Sequence, residues 1–180
     1  MICWFCMKIG AHISAAGGVW NAPVNAHLIG CECFQFFSRS PQGGIPPPLT
    51  PDVVKKFHDA CEKYGYEDYV IHSPYFINHA SSVPRIRHGS ISVLREELER
   101  GTLLGAKYLM FHPGSAKNVG EAEAMNMVID GIIKILDDYK GSCQLLIEIS
   151  AGSGMVIGDT FDEVGTILKK IEKQTKKQIS

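Results

Sequence analysis

The sequence predicts a parallel α/β fold of about five βα units. Apolar stretches of strand length alternate with amphipathic stretches of helix length along the whole chain. The strand-length stretches are nearly continuous in apolar residues, the pattern of a sheet covered on both faces. They fall at 8–13, 33–37, 69–72, 108–112 and 145–149.

Each connection carries its own signal. The first crossover, about 18–29, is short and weakly patterned, with Pro23 in its opening turn. Thr50 followed by Pro51 reads as an N-cap with proline at the first helical position, opening a helix through Val53, Phe57 and Cys61. Ile91, Leu94 and Leu98 mark a long third helix that closes near Gly105. In the fourth, Met125, Val128, Ile129, Ile132, Ile133 and Leu136 share one face opposite Asp130, Lys134 and Asp138. Thr160 and Glu163 make a capping box ahead of Val164, Ile167, Leu168 and Ile171. Ser40 to Pro48, SPQGGIPPP, reads as a stiff surface loop, and Lys169 to Lys177 as the solvated face of the last helix running into a tail.

With 180 residues, 45% hydrophobic and 21% charged, the chain can bury a core, which excludes a disordered or fibrous protein. No apolar run reaches the ~18 to 20 residues of a membrane span, so a soluble, cytoplasmic protein with no membrane partner is expected. Eighteen basic against nineteen acidic side chains give a net charge of -1, so nucleic-acid binding has to come from a local site. The six cysteines lack the spacing of a disulfide scaffold, which suits a reducing compartment. Cys3 and Cys6 form one C-x-x-C, short of the two pairs of a zinc ribbon, so residues 1–6 read as an extension ahead of Met7. A single domain is expected over 7–173, with 174–180 as tail.

Chemistry concentrates at the carboxyl ends of the strands. VIHSP places His72 there, FHPGS places His112, IEISAG places Glu148, and IGAHIS adds His12. In parallel α/β folds these ends face one way and carry the active site, so four segments converge on one mouth. Two imidazoles with a carboxylate are a zinc-type ligand set, whereas magnesium sites are mostly carboxylate. Glu148 has two oxygens and can bridge ions, and His12 is expected to orient a ligand or an attacking water. His27, His58, His79 and His88 lie away from this pattern and carry no expected role. There is no G-x-x-x-x-G-K, G-x-S-x-G or dinucleotide fingerprint.

Four runs, MKIGAHISAAGG at 7–18, IHSPYFIN at 71–78, FHPGS at 111–115 and IEISAGSG at 147–154, together resemble the endonuclease IV family of apurinic/apyrimidinic endonucleases, in order and spacing from Met7 to about Lys173. The resemblance implies a TIM-barrel fold of the (β/α)8 type. It also implies a three-zinc cluster and cleavage of double-stranded DNA on the 5′ side of abasic sites, leaving a 3′ hydroxyl. Carried over by motif, His72, His112 and Glu148 hold one Zn2+ and Glu148 also reaches a second; with His12 read from its strand-end position, Glu148 and His12 are the expected catalytic residues. Tyr75 and Phe76 enter the DNA stack where the base is missing.

Departures accompany the match. The family's arginine and tryptophan after the second strand have no counterpart in SPQGG, leaving Arg39 as a partial substitute in DNA binding, and Ile149 stands where asparagine is usual. A complete barrel needs ~250 residues, so an incomplete barrel of about five of eight units is expected. It would carry ligands for about one zinc, with the first and last strands as exposed edges open to self-association. The alternatives are a half-barrel that binds zinc and DNA without turnover, and a sugar isomerase or epimerase of the xylose-isomerase-like barrels.

Overall fold

The computed structural model describes residues 7–152, 154–176 and 179. The expected extension with Cys3 and Cys6 lies outside the described residues, as does part of the tail. Five parallel strands, β1 (Gly10–Ile13), β2 (Cys33–Phe36), β3 (Tyr69–His72), β4 (Tyr108–Phe111) and β5 (Gln144–Ile147), form one sheet in sequential order. They alternate with α1 (Asn21–Leu28), α2 (Pro51–Tyr64), α3 (Pro84–Leu103), α4 (Glu121–Leu136) and α5 (Phe161–Thr175). The result is an open, five-unit stretch of a parallel TIM-barrel-type α/β fold.

Local chemistry sets most of the boundaries. Thr50 Oγ1 accepts from the Val53 amide at 3.4 Å and Pro51 stands at the first helical position, so α2 starts where its cap allows. It stops at Gly65, whose φ of 72° is left-handed. In α5, Thr160 Oγ1 caps the Glu163 amide at 3.2 Å, while Glu163 Oε2 accepts from Gly158 and Asp159 rather than from Thr160. Proline at its start lets α3 open seven residues before Ile91, the first apolar residue that marks it in the sequence. β1 begins at Gly10, two residues later than expected, where the chains press together: a Cβ on Gly10 would lie 1.8 Å from the Cys33 carbonyl oxygen.

Sequential parallel order with right-handed crossovers puts all five helices on one face of the sheet. Strand alternation reports the same. Phe34, Phe36, Ile71, Leu109, Phe111 and Leu145 are almost fully buried on that face, against Phe57, Leu94, Leu98, Ile132 and Ile167 of the helices. Their neighbours Gln35, Val70, Met110 and Leu146 are only half-buried on the other face. That face is a concave trough with a cavity of about 540 Å³, lined by Gly10, His12, Gln35, Val70 and Tyr108. The expectation that both faces are covered therefore holds for one face only. β1 and β5 each pair on a single side.

The four described cysteines are free, and burial pushes the thiols of Cys61 and Cys143 up to about 12, so these two pack as small apolar side chains. His79, given no role by the sequence, is the polar exception in the core. It is fully buried between β4 and α4, edge-on to Phe111 at 5.9 Å, and neither ring nitrogen has a hydrogen-bond partner. Burial holds its pKa down at about 4. The unfolded chain, with an ordinary histidine near 6.5, takes up the proton first, so stability is intact above pH ~6.5 and falls by ~1.4 kcal/mol per pH unit as the pH drops toward about 4. His79→Leu is expected to gain about 1 kcal/mol at neutral pH by removing the unsatisfied ring, and to flatten that acid slope. Urea unfolding from pH 4 to 8 measures both, and parallel slopes for the two proteins would refute the assignment.

Candidate functional site

His72 ends β3, and His112 and Glu148 each stand one residue past β4 and β5. The ladder nevertheless carries past the strand ends, because the Glu148 amide donates to the Phe111 carbonyl at 3.0 Å and the Ser73 amide to that of Met110 at 2.8 Å. Period-two alternation is thus preserved, and His72 follows Val70, His112 follows Met110 and Glu148 follows Leu146 onto the concave face. The structure brings these three together, with ligand atoms all within 4.8 Å of one another. Among the described residues this group stops at three members.

Its electrostatics are unbalanced as it stands. His72 Nδ1 lies 2.6 Å from the Ser73 carbonyl oxygen, which can only accept, so Nδ1 carries the proton and Nε2 presents a lone pair. Burial lowers the His72 pKa and keeps the ring neutral, against the opposing pull of Glu148. Glu148 Oε2 lies 3.5 Å from that Nε2 and 3.4 Å from His112 Nε2, is buried, and has no hydrogen-bond partner. Between His72 Nε2 and Glu148 Oε2 acceptor faces acceptor, an arrangement that a cation between them relieves. Zinc bonds of ~2.0–2.1 Å at tetrahedral angles separate ligand atoms by roughly 3.3 Å. The residues present fit such an ion.

His12 does not join this group. Its Nδ1 lies 2.8 Å from Gln35 Oε1, its register partner on β2, and its ring centroid is 5.9 Å from that of His72. Tyr75 and Phe76 stand out on the β3–α3 loop, 67% and 40% exposed. The Tyr75 ring meets Phe37 at 5.1 Å and His72 at 5.8 Å, both edge to face. Both aromatics, with His112, Ser115 and Ser150, line a cavity of about 540 Å³ beside the histidines.

Arg39 requires a correction. Its side chain is only 5% exposed, donating to Glu96 Oε2 and to the Gly44 carbonyl, each at 2.7 Å, so it offers nothing to a DNA phosphate. The cause lies in α3, where the fully buried Glu97 draws positive charge inward from Arg39 and Arg100. Sequence reasoning missed three residues at the site. Phe37 packs on His12 at 4.4 Å and on His72 at 5.3 Å. Gln35 orients His12, and its polarity inside an apolar strand was the available clue. Asn78 clamps Ser115 through both backbone groups, Nδ2 to the carbonyl and the Ser115 amide to Oδ1, each at 3.1 Å, and so ties the loop after β3 to the loop after β4.

Comparison with known proteins agrees with this geometry. The model of the xylose isomerase-like TIM barrel family matches residues 24–177. A probable endonuclease 4 of Thermoplasma acidophilum is 39% identical over 92% of this chain and 57% of its own length, and one of Halothermothrix orenii is 34% identical over 92% and 60%. The chain thus spans less than two thirds of these curated relatives. The crystal structure of endonuclease IV from Thermus thermophilus superposes with a TM-score of 0.79 at 31% identity, covering 90% of this chain and 59% of that one. A D-tagatose 3-epimerase-like protein, at 18% identity and TM-score 0.67, shares the fold alone. No described helix is long and apolar enough to cross a membrane. By family model the chain belongs to the xylose isomerase-like TIM barrel family, and in sequence and superposition it is similar to endonuclease IV.

Proposed function

We propose that this chain carries the metal-binding mouth of a zinc-dependent phosphodiesterase that cleaves double-stranded DNA on the 5′ side of abasic sites, leaving a 3′ hydroxyl, in cytoplasmic base-excision repair. The observation that supports it most is the buried, unpartnered Glu148 Oε2 facing two imidazole nitrogens. His72, His112 and Glu148 would hold Zn2+. The ion, when bound, supplies Lewis acidity toward a water and toward a phosphoryl oxygen. His72 is fixed in one tautomer by the Ser73 carbonyl, which keeps Nε2 a donor of electrons rather than of a proton. His12, steadied by Gln35, leaves Nε2 free to hold a proton of the attacking water. The exposed rings of Tyr75 and Phe76 would replace the stacking lost at a missing base, at ~1–3 kcal/mol per ring.

Zinc titration of the metal-free protein is expected to show about one tightly held ion per chain, with a melting temperature that rises with zinc. Glu148→Gln keeps the shape but presents an amide, and is expected to lose zinc affinity by at least ~100-fold and the thermal shift with it. An unchanged shift in that variant would place the ion elsewhere.

The activity is tested on a duplex carrying one tetrahydrofuran abasic analogue, where zinc-dependent incision immediately 5′ of the analogue and none in an intact duplex is expected. A second reading is an ion- and DNA-binding half-barrel without turnover. It is favoured by the ligand group, which among the described residues has three members. Selective binding of the abasic duplex without incision would decide for it, and no selectivity at all would refute both. The single-sided edges of β1 and β5 are expected to pair between copies, and a monomer boundary in sedimentation over an about hundredfold concentration range would remove that part of the proposal.

A further inference from the structure

The loop after β2 is held from beneath by buried charge. Glu97 of α3 has no exposed surface. Ser38 Oγ donates to its Oε2 at 2.7 Å and accepts from Arg100 Nε at 2.8 Å. Arg100 Nε and Arg39 Nη1 lie 3.5 and 3.9 Å from Glu97 Oε1. Arg39 Nη1 donates to Glu96 Oε2 at 2.7 Å and the buried Arg39 Nε has no hydrogen-bond partner, while the outer guanidinium nitrogens end on backbone carbonyls of the loop. Arg39 Nη2 reaches Gly44 at 2.7 Å, and Arg100 reaches Pro47 at 2.9 Å and Ser38 at 2.6 Å.

Apolar side chains of the same volume would fill this space without the cost of desolvating one carboxylate and two guanidiniums. What the charges add is geometry, because a planar fork fixes where a carbonyl sits. The loop so fixed reaches the site. The Pro41 carbonyl accepts from the Tyr75 amide at 3.2 Å, and a Cβ on Gly43 would stand 3.7 Å from the Phe76 ring.

We propose that Arg39, Glu97 and Arg100 are positioning residues, a buried clamp that sets the 38–47 loop and through it the placing of Tyr75 and Phe76 beside His72, His112 and Glu148. The consequence for DNA rests on the reading of Tyr75 and Phe76 given above. The mechanical consequence, coupling of one loop to the next, does not.

The test uses Arg39→Lys and Arg100→Lys, which keep the positive charge beside Glu97 and lose the fork. Hydrogen exchange is followed by mass spectrometry in the 73–78 peptide, which neither arginine touches. Zinc affinity and steady-state kinetics on the abasic-analogue duplex are measured alongside. In at least one folded variant, exchange in 73–78 is expected to rise about tenfold while β4 and α5 peptides stay protected, and KM for the duplex to rise about tenfold. Zinc affinity and kcat are expected to stay within about twofold. A stability effect alone would raise exchange everywhere and leave KM unmoved. Unchanged exchange in 73–78 overturns the clamp, and if neither variant folds, Glu97→Gln is judged by the same criterion. If the unsubstituted protein fails to prefer the abasic duplex, the DNA reading falls while the exchange result still decides the clamp.

Discussion

Glu148 Oε2 is a negative atom held out of water between two imidazole nitrogens, and the architecture of the mouth follows from that juxtaposition. It exists because neighbouring parallel strands are locked in register. Phe111 pairs with Ile147, so His112 and Glu148 leave the sheet side by side, while His72 pairs with Met110 one pleat below. A one-residue slip in either ladder would turn one of these side chains to the helix face. The apolar packing beneath the sheet is therefore also what holds the ligand geometry.

The loops above the sheet are joined to one another rather than left independent. Tyr75 binds Pro41, Asn78 binds Ser115, Ser115 bridges to Val156, and the Ile157 amide reaches the Gly114 carbonyl. The result is a chain of hydrogen bonds, through backbone groups and the Asn78 side chain, that links the loops after β2, β3, β4 and β5 and is anchored at one end by the buried charges of α3. Loops pinned in this way present exposed aromatics with little left to order when a partner arrives, which is the physical advantage of preorganisation.

Much of the arrangement was legible in the amino-acid order, for local reasons. The helix starts at Thr50 and Thr160 are hydroxyl caps, and the five strands are short apolar runs whose last polar residues stand out against them. His72, His112 and Glu148 were visible because sheet packing gives no reason for imidazole or carboxylate at those positions. Arg39 was misread because its partners, Glu96 and Glu97, lie more than fifty residues away. An arginine beside a glycine-rich loop looks exposed until the helix that neutralises it is in place. Phe37 and Asn78 escaped notice for the same reason, since their contacts are made across loops.

By itself the sequence determined the alternation of elements, their caps, and the chemical types gathered at the strand ends, since these depend on neighbours within a few residues along the chain. Tertiary structure alone decided which acceptors face each other, which charge is buried, and which face of the sheet is left open. Those outcomes depend on strand register and on side chains brought together from distant segments, which no local pattern records.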